Sequence, residues 1–198
     1  MCGIVAYVGK KDPKQFLIEG LRRLEYRGYD SAGILLSNAS ENQTSKIAGK
    51  VNALSKILDE KPEISAHIGI GHTRWATHGV PNDLNAHPHH SNSGKLYLVH
   101  NGIIENYDAI KQELIQRGYT FYSDTDSEVL VNLIEEIKDQ EKVSLAKAVQ
   151  LALKQVVGAY GIVVFDVTKN SELIVARLGS PLAIGLEEGG FYVGSDAT

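Results

Sequence analysis

The sequence contains a single cysteine and no long apolar run, and each shortage excludes a class of protein. One cysteine in 198 residues permits neither an internal disulfide framework nor an all-cysteine zinc site. No apolar run reaches the ~18 residues needed to cross a bilayer, and the N-terminus lacks a basic region followed by a hydrophobic segment. We therefore expect a cytoplasmic protein that does not span a membrane.

Basic clusters and cofactor motifs are also missing. The 20 Lys and Arg residues are outnumbered by 24 Asp and Glu residues and form no cluster, so the charge pattern does not indicate binding to nucleic acid or anionic lipid. The sequence has no GxGxxG, P-loop or HExxH motif, which are typical of dinucleotide, nucleotide and zinc sites. We therefore expect no cofactor, no metal and no nucleic-acid partner.

The composition, with 43% apolar and 22% charged residues, is typical of a globular domain, and no linker divides the chain. Short apolar, β-branched runs predict strands at 3–8, 31–36, 67–72, 95–100, 160–167, 173–178, 182–186 and 191–194. Apolar residues at helical spacing predict one helix near 17–24 and three more between 107 and 156. Strands at both ends with helices between them predict an α+β fold of packed sheets covered by helices.

Two segments show no apolar period. The polar residues 38–45 predict a mobile connection, and residues 73–94, which contain several histidines, predict a long loop. Long loops inside compact domains are usually functional. We therefore expect part of the functional site between residues 73 and 94.

The only cysteine, Cys2, stands directly after Met1. We expect Met1 to be removed because the next side chain is small, and Cys2 then carries the free α-amine. That amine has a pKa of ~7.7 to 8.0 and the thiol ~8.5, so the amine can take the thiol proton without a separate histidine. The alternative is a small buried or inert cysteine with a structural role only.

Residues 71–79 place one arginine beside hydroxyls and the only tryptophan. The guanidinium of Arg74 has the shape that binds a carboxylate through two parallel hydrogen bonds, and Trp75 could cover a small polar ligand. The alternative is an arginine in a surface salt bridge and a tryptophan that fills the core. The sequence alone does not decide between the two.

Asn101 and Gly102 follow a predicted strand, where an amide side chain and a glycine N–H could stabilise an oxyanion. Asn-Gly is also the commonest turn dipeptide, so a plain turn is the alternative. Asp124 and Asp126 stand at the start of a predicted helix. We expect at least one of them to cap that helix, which leaves the other to bind an ammonium group.

Several histidines lie close together in the sequence: His72, His78, His87, His89 and His90. A metal site is one interpretation of this density. A proline at position 88 prevents helical spacing, and no HExxH motif is present. We therefore favour the interpretation without a metal.

Six strings of the sequence together resemble one family closely: CGIV at 2–5, LRRLEYRGYDSAG at 21–33, HTRWATHG at 72–79, NAHPH at 85–89, HNGIIEN at 100–106 and TD at 125–126. The family is glucosamine-6-phosphate synthase, the glutamine:fructose-6-phosphate amidotransferase. The resemblance runs from residue 2 to the end of the chain. It implies an N-terminal nucleophile hydrolase fold, a four-layer αββα sandwich of two antiparallel sheets between helices.

The resemblance also implies roles for individual residues. Cys2 would attack the side-chain amide of L-glutamine with its own amine as base, while Asn101 and the N–H of Gly102 form the oxyanion hole. Arg74 would bind the glutamine carboxylate and Asp126 its ammonium. The residues implied to line the pocket are Thr77, His78 and Gly102, those implied to support the N-terminus are Arg27 and Gly28, and the residue implied to gate ammonia is Trp75.

The implied reaction yields a γ-glutamyl thioester and ammonia, after which water releases glutamate. We expect residues 2–198 to form the glutaminase domain, with its last strands and a sugar-phosphate isomerase domain outside the sequence. That second domain would bind fructose 6-phosphate, use the ammonia to make glucosamine 6-phosphate, and carry a homo-oligomer contact.

Two other functions are consistent with parts of the sequence. A papain-like hydrolase would pair Cys2 with His78 or His100, and it would tolerate an N-terminal extension. A non-catalytic module that senses glutamine would keep the pocket, and turnover of glutamine would exclude it.

Overall fold

The computed structural model describes residues 2–76, 79–169 and 171–196, and within them the chain forms two antiparallel sheets. The first sheet has the strand order β3-β2-β4-β1-β10-β9, with β1 at Gly3–Gly9, β2 at Ser31–Ser37, β3 at Asn42–Ala48, β4 at Ile68–Arg74, β9 at Ala183–Glu187 and β10 at Gly190–Gly194. The second has the order β5-β6-β7-β8, with β5 at His89–His90, β6 at Leu96–Ile104, β7 at Gly158–Asp166 and β8 at Ile174–Leu178.

Five helices in the described residues cover the outer faces of the sheets. They are α1 at Lys14–Leu24, α2 at Val51–Glu60, α3 at Tyr107–Gln116, α4 at Asp126–Glu141 and α5 at Leu145–Leu153. Helices α1 and α2 pack on β1 to β4 of the first sheet, whereas α4 and α5 pack on the second sheet and α3 packs on α4. None of the described helices is long and apolar enough to cross a membrane.

Three hydrophobic clusters fill the spaces between these layers. The middle cluster joins the sheets and contains Ile4, Leu35 and Ile70 from the first sheet, with Val99 and Phe165 from the second. Side chains alternate between the two faces of a strand, which is how β1 contributes to two clusters at once. The αββα sandwich is therefore confirmed.

Two elements were not predicted correctly. Residues 42–45, expected in a mobile connection, belong to strand β3, which lies at the edge of its sheet and buries only Ser45. An edge strand with one buried residue has no apolar alternation for a pattern to detect. Helix α2 was not predicted, although its buried residues Val51, Leu54 and Leu58 stand at helical spacing.

The expectation that a strand ends at Asn101 is wrong as well. Strand β6 continues through Asn101 and Gly102 to Ile104 and pairs with β7 along its whole length, so this dipeptide is not a turn. The predicted loop over 73–94 is also shorter than expected, because strand β4 includes Arg74 and the chain forms β5 at its far end.

Strand ends converge at one place on the sandwich. The pairing of Gly3 with Thr73 brings the start of β1 beside the end of β4. Strand β6 contacts both β1 and β4 across the sandwich, and helix α4 packs on β6. Arg74, Asn101 and Asp126 lie on β4, β6 and α4, and Cys2 directly precedes β1.

The buried layer between the sheets should dominate stability. We expect Leu35→Ala to lower the free energy of unfolding by roughly 2 to 5 kcal/mol, because Leu35 is fully buried and its truncation leaves a cavity. Leu84→Ala is the matched control, since Leu84 is 62% exposed, and it should cost less than about 0.5 kcal/mol. Urea unfolding measures both, and equal losses would contradict the assignment of this core.

Candidate active site

Cys2, which directly precedes β1, contacts Trp75, the residue that follows β4. Its Sγ atom accepts a hydrogen bond from the backbone N–H of Trp75 at 3.2 Å and lies 3.5 Å from the Trp75 carbonyl oxygen. Burial raises the pKa of the Cys2 thiol, while the Trp75 N–H and the charge of Arg74 act in the opposite direction. The thiol therefore needs a base to become a thiolate near neutral pH.

The backbone near Cys2 is held by the turn between α1 and β2. A Cβ atom at Gly28 would lie 2.7 Å from the carbonyl carbon of Arg74 and 2.9 Å from the nitrogen of Trp75, so only glycine fits there. Arg27 donates to the carbonyl oxygen of Ser195 at 2.8 Å, and the Ser195 hydroxyl in turn accepts the N–H of Ile4 at 2.9 Å. Arg27 and Gly28 therefore both contact the backbone near Cys2. Their implied role in supporting the N-terminus stays a prediction.

Asn101 and Gly102 reach Cys2 from the other sheet. The side-chain amide of Asn101 donates to the carbonyl oxygen of Cys2 at 3.0 Å. Gly102 has a φ of +135°, and a Cβ atom there would lie 2.0 Å from the carbonyl oxygen of Ala159 on the neighbouring strand. A side chain at position 102 is excluded by its φ and by that contact.

Cys2, Asn101 and Gly102 line a cavity of about 250 Å³. The other residues that line the cavity are Arg27, Trp75, Ile103, Ser180 and Pro181. Trp75 is 47% exposed and contacts Tyr29 edge to face at 5.5 Å between ring centroids. Trp75 therefore lies at the border between the cavity and the surface and does not fill the core.

Arg74 is buried, unlike an arginine in a surface salt bridge. Its guanidinium donates to the carbonyl oxygens of Gly79 at 3.3 Å and Val80 at 3.4 Å. Burial lowers the pKa of Arg74, whereas Asp30, Asp124 and Asp126 act in the opposite direction. An arginine keeps its charge even so, and a buried cation at this place is suited to bind an anionic group.

Asp126 is buried as the first residue of α4, and its carboxylate accepts the N–H of Ile104 at 2.8 Å. The expectation that an aspartate caps this helix is wrong, because Thr125 is the N-cap and its hydroxyl accepts the N–H of Glu128 at 3.2 Å. Asp124 is instead hydrogen-bonded to Asn85. The Asp126 carboxylate faces the same space as Arg74, and the open part of that space is about 10 Å³, enough for one water molecule.

The buried histidines behind this space are hydrogen-bonded to hydroxyl groups. His87 Nε2 and His100 Nδ1 each lie 2.9 Å from the Ser127 hydroxyl, and His89 Nε2 lies 3.1 Å from that of Thr125. Burial holds the pKa of His87 and His89 well below the usual value. Among the described residues, no group of three or more potential ligands is placed to bind a metal.

The structure thus brings together most of the residues that the sequence indicated: Cys2, Arg27, Gly28, Arg74, Trp75, Asn101, Gly102 and Asp126. Thr77 and His78, which were expected to line the pocket, lie outside the described residues. Sequence reasoning missed Asp30, whose carboxylate accepts the N–H of Ala76 at 2.7 Å, and Ser195. Neither has a local signal, because their contacts come from distant parts of the chain.

Comparisons of the sequence point to one family. A family model described as the glutamine amidotransferase domain matches residues 59–198. A curated relative from Bacteroides thetaiotaomicron, named glutamine–fructose-6-phosphate aminotransferase (isomerizing), is 53% identical over 199 residues, and one of the same name from Chlorobaculum tepidum is 52% identical over 200 residues. Each match covers 100% of this chain and 32% of the relative, so the chain spans about a third of the length of these proteins.

Solved structures share the fold. Glutamine phosphoribosylpyrophosphate amidotransferase from B. subtilis, complexed with ADP and GMP, is 28% identical to this chain with a TM-score of 0.83. A structure described as the allosteric regulatory enzyme of purine biosynthesis is also 28% identical, with a TM-score of 0.85. Both alignments cover 98% of this chain and 42% of the other, so the similarity extends over both sheets.

Acid should destabilise this site through its histidines. Burial lowers the pKa of His87 well below the ordinary 6.5 and that of His72 to about 3, so the unfolded chain binds more protons between these values. Stability is therefore greatest above about pH 6.5 and is lost on acidification, by about 1.4 kcal/mol per pH unit for each histidine. Between pH 7.5 and pH 5 we expect His72 alone to cost the parent about 2 kcal/mol, with a further loss from His87.

Urea unfolding of His87→Gln at these two pH values isolates one contribution. The variant should lose less stability than the parent does on acidification, since glutamine does not titrate. Asn52→Ala is the matched control because Asn52 is exposed and does not titrate, and it should keep the parental pH dependence. An unchanged pH dependence in His87→Gln would contradict a buried, neutral His87.

Proposed function

Because the chain belongs to the glutamine amidotransferase domain family, we propose that it hydrolyses the side-chain amide of L-glutamine to glutamate and ammonia through a thioester on Cys2. One observation carries the proposal. The residue with the only thiol, Cys2, accepts at its backbone carbonyl a hydrogen bond from the side-chain amide of Asn101 on the other side of the sandwich. The same thiol lines the space that contains Arg74 and Asp126. The proposed nucleophile, the amide donor and two side chains of opposite charge therefore lie in the same part of the molecule.

The α-amine of Cys2, exposed by removal of Met1, would act as the base. Since burial raises the pKa of the thiol, the thiolate forms only if a base takes its proton. The hydrogen bonds recorded for Sγ in the described part of the chain go to the backbone of Trp75 and not to a histidine. This favours the amine over a papain-like pair with His100.

Asn101 and Gly102 would form the oxyanion hole. The carbonyl oxygen of Cys2 engages one proton of the Asn101 amide, which leaves the second for the oxyanion that forms when Sγ attacks. Gly102, whose N–H would be the second donor, lines the same cavity as Cys2 and Asn101. Donors fixed before the reaction stabilise a developing charge without reorganisation. Collapse of the tetrahedral species expels ammonia, and water then hydrolyses the thioester.

Arg74 and Asp126 would bind the two charged groups of the substrate amino acid. The cation suits the α-carboxylate and the anion suits the α-ammonium, so the pair recognises both charges of glutamine. Gly102 lines the same space, and the resemblance to the family assigns Thr77 and His78 to the same pocket.

The wider function rests on the relatives' names. We propose that residues 2–198 form the glutaminase domain of a glutamine–fructose-6-phosphate aminotransferase in the cytoplasm, whose sugar-phosphate isomerase domain follows and forms the homo-oligomer. Trp75, at the surface border of the cavity beside Cys2, would gate the ammonia that passes to fructose 6-phosphate. The N–H contacts of Arg27 and the close fit of Gly28 would keep Cys2 in place.

Removal of one oxyanion donor should lower the rate and spare substrate binding. We expect Asn101→Ala to reduce kcat for glutamine hydrolysis by roughly 10²- to 10³-fold, with a smaller change in KM. Asn52→Ala on the exposed face of α2 is the matched control and should keep full activity. A rise in KM alone would make Asn101 a binding residue.

An extra residue in front of Cys2 should silence the enzyme while the domain stays folded. The extension converts the amine into an amide that cannot accept the thiol proton. Protease removal of the extension should restore activity, with an ascending pH limb set by an amine pKa of ~7.7 to 8.0. The assay compares glutamate release by matched proteins with and without the extension.

The same experiment separates the alternatives. A papain-like enzyme would stay active when extended and would lose activity in a His100→Ala or His78→Ala variant. A glutamine sensor would bind glutamine without turnover in every form. Full activity of the extended protein would overturn the proposed role of the amine.

A further inference from the structure

His72 lies directly behind Asn101 but on the other sheet. It belongs to β4 in the six-stranded sheet, whereas Asn101 belongs to β6 in the four-stranded sheet. His72 is fully buried, and its Nε2 atom lies 2.9 Å from the carbonyl oxygen of His100 and 3.1 Å from the side-chain oxygen of Asn101. The proposed mechanism gives this imidazole no task.

Two backbone carbonyl oxygens determine the direction of these hydrogen bonds. A carbonyl oxygen only accepts, so His100 requires the proton on Nε2 of His72. The carbonyl oxygen of Cys2 likewise requires the NH₂ end of Asn101 to point toward Cys2. The oxygen of Asn101 then faces the Nε2–H of His72 and accepts from it. No alternative flip of the amide satisfies both carbonyl groups.

The imidazole is itself held in place. Its ring stacks on His87 with 4.0 Å between centroids and 29° between planes, and His87 is hydrogen-bonded to Ser127 on α4. Burial lowers the pKa of His72 to about 3, so it remains a neutral donor at any working pH. The donor behind Asn101 is therefore constant in position and in protonation state.

We infer that His72 is a positioning residue for catalysis: its Nε2–H fixes the side-chain amide of Asn101 so that one amide proton points to the oxyanion. This rests on the proposed function, in which Asn101 stabilises the tetrahedral intermediate. His72 touches neither thiol nor substrate and acts through Asn101. An amide that rotates without this anchor would present its oxygen to the oxyanion in part of the molecules, and a misplaced donor loses much of its effect.

The test compares two substitutions of similar length. His72→Gln places an amide NH₂ where Nε2–H lies, whereas His72→Met has nearly the same shape and donates nothing. We expect His72→Met to lower kcat for glutamine hydrolysis by roughly 10- to 10²-fold with KM changed by less than about threefold, since the oxyanion exists only after attack. His72→Gln should keep kcat within about threefold of the parent.

A double-mutant cycle separates positioning from a general structural role. In the Asn101→Ala background there is no amide to position, so His72→Met should lower kcat by less than about twofold further. If the two losses multiply instead, His72 acts independently of Asn101 and the inference is wrong. Equal losses in His72→Gln and His72→Met would also overturn it, because they would report packing.

His72→Asn provides a second variant without a donor that reaches Asn101, in case His72→Met does not fold. Its shorter amide ends near the position of Nδ1 and cannot reach Asn101, so it should match the kcat loss expected for methionine. A parental kcat in a folded donorless variant, together with a low kcat in Asn101→Ala, would refute the role of His72 alone. A parental kcat in Asn101→Ala would instead refute the oxyanion role in the proposed function.

Discussion

The hydrogen bond from the Asn101 amide to the carbonyl oxygen of Cys2 is the contact on which this site depends. Asn101 lies on β6, and Cys2 directly precedes β1 of the other sheet. Beside the hydrophobic cluster that joins the sheets, this bond and the contacts of His72 with His100 and Asn101 form polar links between them at the point where chemistry would occur. Core residues such as Phe165 therefore contribute to the geometry of the site as well as to stability.

Charge at the site is balanced by groups from separate parts of the chain. Arg74 ends β4, Asp126 begins α4, and Asp30 precedes β2. A buried charge without partners is costly, so each of these groups requires the others to be in place. The binding site is thus complete only when both halves of the sandwich have assembled, which couples ligand recognition to the overall fold.

The sequence predicted the layered class and the main site residues for different reasons. Cys2 is identified by its position, and Arg74 and Asn101 by the strings that contain them. The helix cap was assigned to the wrong residue because aspartate and threonine cap equally well and stand side by side at 124–126. The contact of His72 with Asn101 spans 29 positions and two sheets. Its geometry follows from the packing of the sheets, which no local pattern encodes.

Gly102 shows how a backbone contact can govern the genetics of a site. Every missense change of a glycine codon introduces a side chain, and at this position each Cβ atom would collide with the carbonyl oxygen of Ala159. Loss of function at codon 102 would thus be uniform across all missense alleles. Such a uniform pattern would result from the steric contact with strand β7. It would not show whether the N–H group of Gly102 takes part in the chemistry.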